Sequence, residues 1–139
     1  MAKYKNGHYI HYPKKLVDKL DELVYYTDPE AVSITNHYFI KDMGELSLLL
    51  FSDGICGMYR KLNCFWVVDM VASIVPRLTE TFYTVYVVKK KDNSFYFMLK
   101  EANGEIAYCQ HHRFTDLKEN LRLCLTKGKQ WVLSLPSEQ

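Results

Sequence analysis

From Thr81 onward the chain is written in short runs rich in Val, Tyr and Phe, separated by turn residues, and this pattern limits the fold more than any other feature. The runs are residues 81–90, 94–101, 105–114, 121–126 and 129–135, with turns at Asp92-Asn93, Asn103-Gly104 and Lys127-Gly128. Aromatic and β-branched side chains pack well on a pleated surface, and short turns force antiparallel neighbours. The segment therefore reads as an antiparallel β-meander of about five strands. Asn103-Gly104 is the sharpest turn signal, since a two-residue type I′ turn needs positive φ at both central positions.

A sheet of this kind must cover one face. The cover comes from residues 64–75, an apolar run interrupted only by Asp69 and Ser73. As a helix it would span about 18 Å, short of the roughly 30 Å of a bilayer core, so it is expected to be a buried helix with no membrane role. Upstream, Pro13 opens an amphipathic helix carrying Leu16, Val17, Leu20, Leu23 and Val24 at helical spacing, ended by Thr27-Asp28-Pro29. Residues 34–40 read either as a strand or as an irregular aromatic segment. Residues 46–51 have strand length and are stopped by Ser52-Asp53-Gly54, where Ser52 or Asp53 caps a helix running to about Leu62. Asn63 is expected to cap the next helix, which Pro76 ends. The expected architecture is α+β, one domain over residues 1–139. Its helical and mixed half covers residues 1–76, the meander covers 80–136, and the helices pack on one face of the sheet.

At 139 residues such a domain buries roughly two-thirds of its unfolded surface and needs no staples. With 18 basic against 16 acidic residues the net charge is +2, too weak a field to imply attraction to phosphate, and a nucleic-acid partner is not expected. The first residues, Met-Ala-Lys-Tyr-Lys-Asn-Gly, lead to no apolar core of a signal peptide. A cytoplasmic setting with Cys56, Cys64, Cys109 and Cys124 reduced is expected. No two of them form Cys-x-x-Cys, which removes the strongest spacing for zinc or redox chemistry.

The segments Leu50-Phe51-Ser52-Asp53-Gly54, then Tyr59, then Phe65-Trp66-Val67-Val68-Asp69-Met70-Val71-Ala72-Ser73 stand in order with Phe114-Thr115-Asp116 and the closing Leu133-Ser134-Leu135-Pro136-Ser137-Glu138. Together they resemble a family of small stand-alone bacterial proteins defined only as a domain of unknown function, over roughly the last two-thirds of the chain. Cys64-Phe65 is a mild departure, because the family usually has a small apolar-aromatic pair there. The resemblance implies the fold class and a stand-alone protein, and it brings no mechanism.

Asp69 interrupts an otherwise apolar helix, and Trp66 and Ser73 share its side at i−3 and i+4. A carboxylate beside an indole and a hydroxyl suits ligand binding. Asp53 joins it as a second carboxylate candidate, so the ligand-binding set is Asp53, Trp66, Asp69 and Ser73. The competing reading makes Asp69 an ordering or solvated group and Ser52-Asp53-Gly54 a helix cap, which is the commoner use of such residues. His8-x-x-His11 and His111-His112 invite a metal, but adjacent residues on a strand point to opposite faces. No Gly-rich phosphate loop and no nucleophile elbow is present. No catalytic residue, metal or cofactor is assigned. Lys89-Lys90-Lys91 falls at a hairpin end, where lysines commonly protect an edge. Stacking of nucleic-acid bases beside these lysines and Arg113 is the less favoured reading. The leading expectation is a non-enzymatic module that meets a protein partner, or a second copy of itself, through aromatic surface. A ligand binder or enzyme around Asp69 and Trp66 is the alternative.

Overall fold

The computed structural model describes residues 2–5, 8–27, 38–42, 48–113 and 115–138. Helices combine with a mixed sheet, so the class is α+β. The chain forms two compact units, one made of Met1–Tyr26 with Thr84–Arg122, the other of Thr27–Tyr83 with Leu123–Gln139.

In the first unit β1 (Ala2–Lys5) pairs antiparallel with β2 (His8–His11), Ala2 opposite His11. The amphipathic segment then starts where Pro13 predicts, but α1 covers only Lys14–Asp18 and tightens into a 3-10 turn at Leu20–Glu22. The expected continuation through Val24 is lost to tertiary hydrogen bonds. The Tyr26 amide donates to the Asn120 carbonyl at 2.8 Å, and the Asn120 side-chain amide donates to the Val24 carbonyl at 3.2 Å. The chain is thereby drawn into extended geometry from Leu23 on. The apolar stripe still does its work: Leu20 is buried with Tyr86, Val88 and Met98, and Leu16, Val17, Leu23 and Tyr25 pack around them. Of the expected helix terminus, Asp28 and Pro29 lie outside the described residues.

Three of the expected runs are β5 (Phe82–Lys89), β6 (Phe95–Glu101) and β7 (Ile106–His112). Phe114, at the end of the third run, lies outside the described residues. β6 and β7 pair antiparallel from Phe95 opposite His112 to Lys100 opposite Ile106, with a bulge between Leu99 and Lys100. Their turn corrects the expected type I′ geometry at Asn103-Gly104. Glu101 closes on Glu105 across three residues, and only Gly104 is left-handed, at φ 91°. The loop between β5 and β6 repeats this form, Lys90 closing on Ser94 with Asn93 at φ 66°. Both are the type I turn with a one-residue bulge, in which a single left-handed residue suffices. Asp92 and Asn103 stiffen them, each accepting from the backbone amide two residues on.

The second unit overturns the purely antiparallel meander. Its strand order is β3 (Tyr38–Asp42), β4 (Leu48–Ser52), β9 (Trp131–Ser134), β8 (Leu121–Lys127). β3–β4 and β8–β9 are antiparallel, but β4 and β9 run parallel, Leu49 beside Trp131 and Phe51 beside Leu133. Short turns fixed the orientation of consecutive strands, yet they carry no information about which distant strand comes alongside. Residues 34–37, 43–47 and 139 of the expected segments lie outside the described residues. From β4 the chain passes into α2 (Asp53–Leu62), which lies against β3, β4 and β9. It then enters α3 (Trp66–Ile74), which buries Val67, Val68, Val71, Ala72 and Ile74 as the apolar run predicts. Pro76 falls in the 3-10 turn Val75–Arg77 that ends this helix.

Candidate interaction surface

The two ends of α2 position the Ser-Asp-Gly element and the entry to α3. At its start Ser52 is fully buried, and its hydroxyl accepts from the Ile55 amide at 3.2 Å, as an N-cap residue should. The same hydroxyl donates to Glu138, whose carboxylate also accepts from the amides of Gly54, at 3.2 Å, and Leu135, at 2.9 Å. A Cβ on Gly54 would press into that carboxylate and stand 2.8 Å from Leu135 Cδ1, so the glycine is there for close approach. The Ser-Asp-Gly and Leu-Pro-Ser-Glu elements thus meet in space.

At its other end α2 closes on Asn63, which is left-handed at φ 52°. The amides of Asn63 and Cys64 both donate to the Tyr59 carbonyl, a Schellman-type ending. Asn63 therefore ends α2 rather than capping α3, because its backbone geometry belongs to a C-terminal stop. This ending buries Cys64 and turns Phe65 outward, 39% exposed, immediately before α3. Phe65 is held all the same. Its ring meets Tyr59 edge-on at 4.8 Å and Phe51 at 6.4 Å, and Phe51 meets Tyr59 at 6.0 Å. The Tyr59 hydroxyl lies 3.5 Å from the Cys56 thiol, and that contact, with burial second, raises the pKa of the phenol.

Trp66, Asp69 and Ser73 continue from this corner along α3. Trp66 is half-buried, Asp69 and Ser73 are exposed, and the Ser73 hydroxyl donates to the Met70 carbonyl at 2.7 Å. Helical spacing places these three on one side. Asp53 is exposed on the first turn of α2, separated from the Phe65 corner by the helix length of about 15 Å.

The histidines and lysines fall on the first unit. His112 stacks on Phe95 with ring centroids 4.7 Å apart, while its neighbour His111 leans on Tyr96 at 4.8 Å, so the pair splits between the two faces of the strand. His8 and His11 stand at the two ends of β2. Among the described residues no group of three or more His, Cys, Asp or Glu is arranged to hold a metal ion. Lys90 sits over the Tyr96 ring, 5.6 Å from its centre, and Lys91 is exposed in the hairpin loop. Among the described residues no helix is long and apolar enough to cross a membrane.

Sequence reasoning missed two organising residues. Glu138 left a legible trace, because Pro136 and Glu138 stand at the first and third positions of a turn whose glutamate bonds back to the Leu135 amide. Asn120 left none. Its side chain accepts from the Lys89 amide at 3.0 Å and donates to Val24, contacts that join three segments distant in sequence. Arg122, beside it, lies 4.9 Å over the Tyr25 ring.

No curated protein and no solved structure matches this chain. The match to a known family spans residues 30–139, from before β3 to the Leu-Pro-Ser-Glu turn, and it includes both ends of α2 and the aromatic corner. The chain belongs to DUF6876, a family of unknown function.

Proposed function

We propose that the chain works as a single-domain, non-enzymatic module of the bacterial cytoplasm that binds a protein partner through the corner between α2 and α3. In this reading Phe65 is the anchor, Tyr59 and Trp66 extend the apolar contact, and Asp69 and Ser73 form its polar rim. The mid-chain helices keep the corner on one face of the sheet. The observation that carries it is Phe65, an exposed aromatic side chain held by edge contacts to two other rings. A rigid aromatic anchor loses little conformational freedom on binding, which is why such residues dominate interface energies. A nucleic-acid partner is not favoured, since the Tyr96 ring beside the lysine run is already engaged by Lys90 and His111.

A small-ligand reading of the same surface is supported by the exposed Asp69 one turn from the half-buried Trp66, and Asp53 is its remote member. The two readings separate experimentally. Light scattering and affinity capture should give a stable complex, or a dimer, that Phe65→Ser abolishes and Lys129→Ala, an exposed change in the turn between β8 and β9, leaves intact. Capture indifferent to Phe65→Ser would overturn the partner reading. Saturable quenching of Trp66 fluorescence by small metabolites, removed by Asp69→Asn, would establish the ligand reading instead.

A further inference from the structure

We infer that the turn Pro136–Glu138 is a latch that sets the conformation of α2 from its first turn to the aromatic corner, and so regulates the surface to which a partner is assigned above; the functional consequence rests on that reading. Glu138 caps a helix from 84 residues away. Its carboxylate satisfies the Gly54 amide, an orphan donor of the first turn, and accepts a hydrogen bond from the hydroxyl of the fully buried Ser52. It also accepts from the Leu135 amide, which folds the turn on itself. Gly54 provides the seat, because any side chain there would occupy the carboxylate's place.

The two partners differ in how easily they move. The latch is a three-residue 3-10 turn with Pro136 and Ser137 exposed, the kind of element that opens locally at small cost. With the carboxylate gone, a buried hydroxyl and a buried amide lose their acceptor, and the first turn of α2 is undercapped. A helix of 10 residues has little intrinsic stability of its own. Its second turn carries Cys56, which touches the Tyr59 hydroxyl, and Tyr59 holds both the Phe65 ring and the amides of Asn63 and Cys64. Loosening the first turn therefore reaches the corner through a continuous set of contacts.

Amide hydrogen exchange on the full chain, read residue by residue, tests this. Glu138→Ala should speed exchange at Gly54 and Ile55 by roughly tenfold or more, and at Cys64 by a smaller factor of at least about threefold. Glu138→Gln, which keeps the shape and an acceptor oxygen but loses the charge, should move the same amides part of the way. It stands as the deciding variant if the alanine protein does not fold. Unchanged exchange at Gly54 and Ile55 in the glutamine variant would overturn the latch. Faster exchange at Gly54 and Ile55 with Cys64 unmoved would overturn the coupling and leave only a cap. These outcomes are independent of whether Phe65→Ser affects partner capture, so the two readings fail separately.

Discussion

Glu138 accepts a hydrogen bond from Ser52 at 2.5 Å, joining residues 86 apart in the chain and tying a C-terminal turn to the start of α2. The contact is possible because Gly54 has no side chain. Gly54→Ala would gain helix propensity at an early helical position, yet it must displace the carboxylate and Leu135. The steric loss outweighs the propensity gain, and a net destabilisation of about 1–3 kcal/mol is expected from overpacking of this kind. Urea denaturation of the two proteins checks it, and a variant as stable as the parent would show that Glu138 moves aside freely.

Asn63 offers a clean test of which helix it serves. At φ 52° a left-handed non-glycine residue other than Asn costs roughly 1–2 kcal/mol. Asn63→Ala and Asn63→Ser should both destabilise by about 1 kcal/mol, while Asn63→Gly should be neutral or mildly stabilising. A cap of α3 would give a different order, with serine tolerated best. Thermal unfolding of the three variants separates the two.

Asn120 joins Val24, Tyr26 and Lys89. Asn120→Ala removes the two side-chain bonds and keeps the backbone one, leaving a carbonyl and an amide to find water. A loss of about 1–3 kcal/mol is expected. Exchange of the Lys89 amide should accelerate while amides of α2 are unaffected, which localises the effect to the first unit.

His112 gives the fold a pH dependence with a definite sign. Burial, and secondarily the charge of His111, hold its pKa below the ordinary 6.5, so the folded protein favours neutral imidazole stacked on Phe95. The unfolded chain binds the proton first as pH falls. The stability contributed by this group is therefore fully present above the unfolded pKa and is lost as pH drops through about 6.5 toward the folded value. Denaturant midpoints measured at about pH 7.5 and about pH 5.5 should fall at the lower pH. The fall should be smaller in His112→Phe, which keeps the stack without the titration.

The thiols should be inert in the folded state. Cys56, Cys64 and Cys124 are buried, and burial pushes Cys109 up to about 11. Cys109 in the native protein should react with a thiol reagent at neutral pH more slowly than in the unfolded chain, because burial raises its pKa and so lowers its thiolate fraction. Rapid labelling of Cys109 alone would contradict its packing against the Leu20, Tyr86, Val88 and Met98 cluster.

Local patterns determined the local elements. A cap at Ser52 or Asp53 marked α2 and a continuous apolar run marked α3, each within a residue or two, because short polar side chains at a strand-to-helix junction commonly satisfy first-turn amides. Alternating Val, Tyr and Phe between turn residues marked β5 to β9 in the same way. What hydrogen bonds do across distance was decided only in three dimensions. The parallel seating of β4 on β9, the recruitment of Val24 and Tyr26 by Asn120, and the choice of Asn63 as the end of one helix rather than the beginning of the next all follow from backbone groups meeting partners far away in sequence. The four nominated site residues show the same division. Helical periodicity alone put Trp66, Asp69 and Ser73 on one side of α3, but their burial and the outward turn of Phe65 depend on how Cys64 is drawn into the core. Periodicity is written in neighbouring residues, whereas exposure is a property of what the rest of the chain folds against.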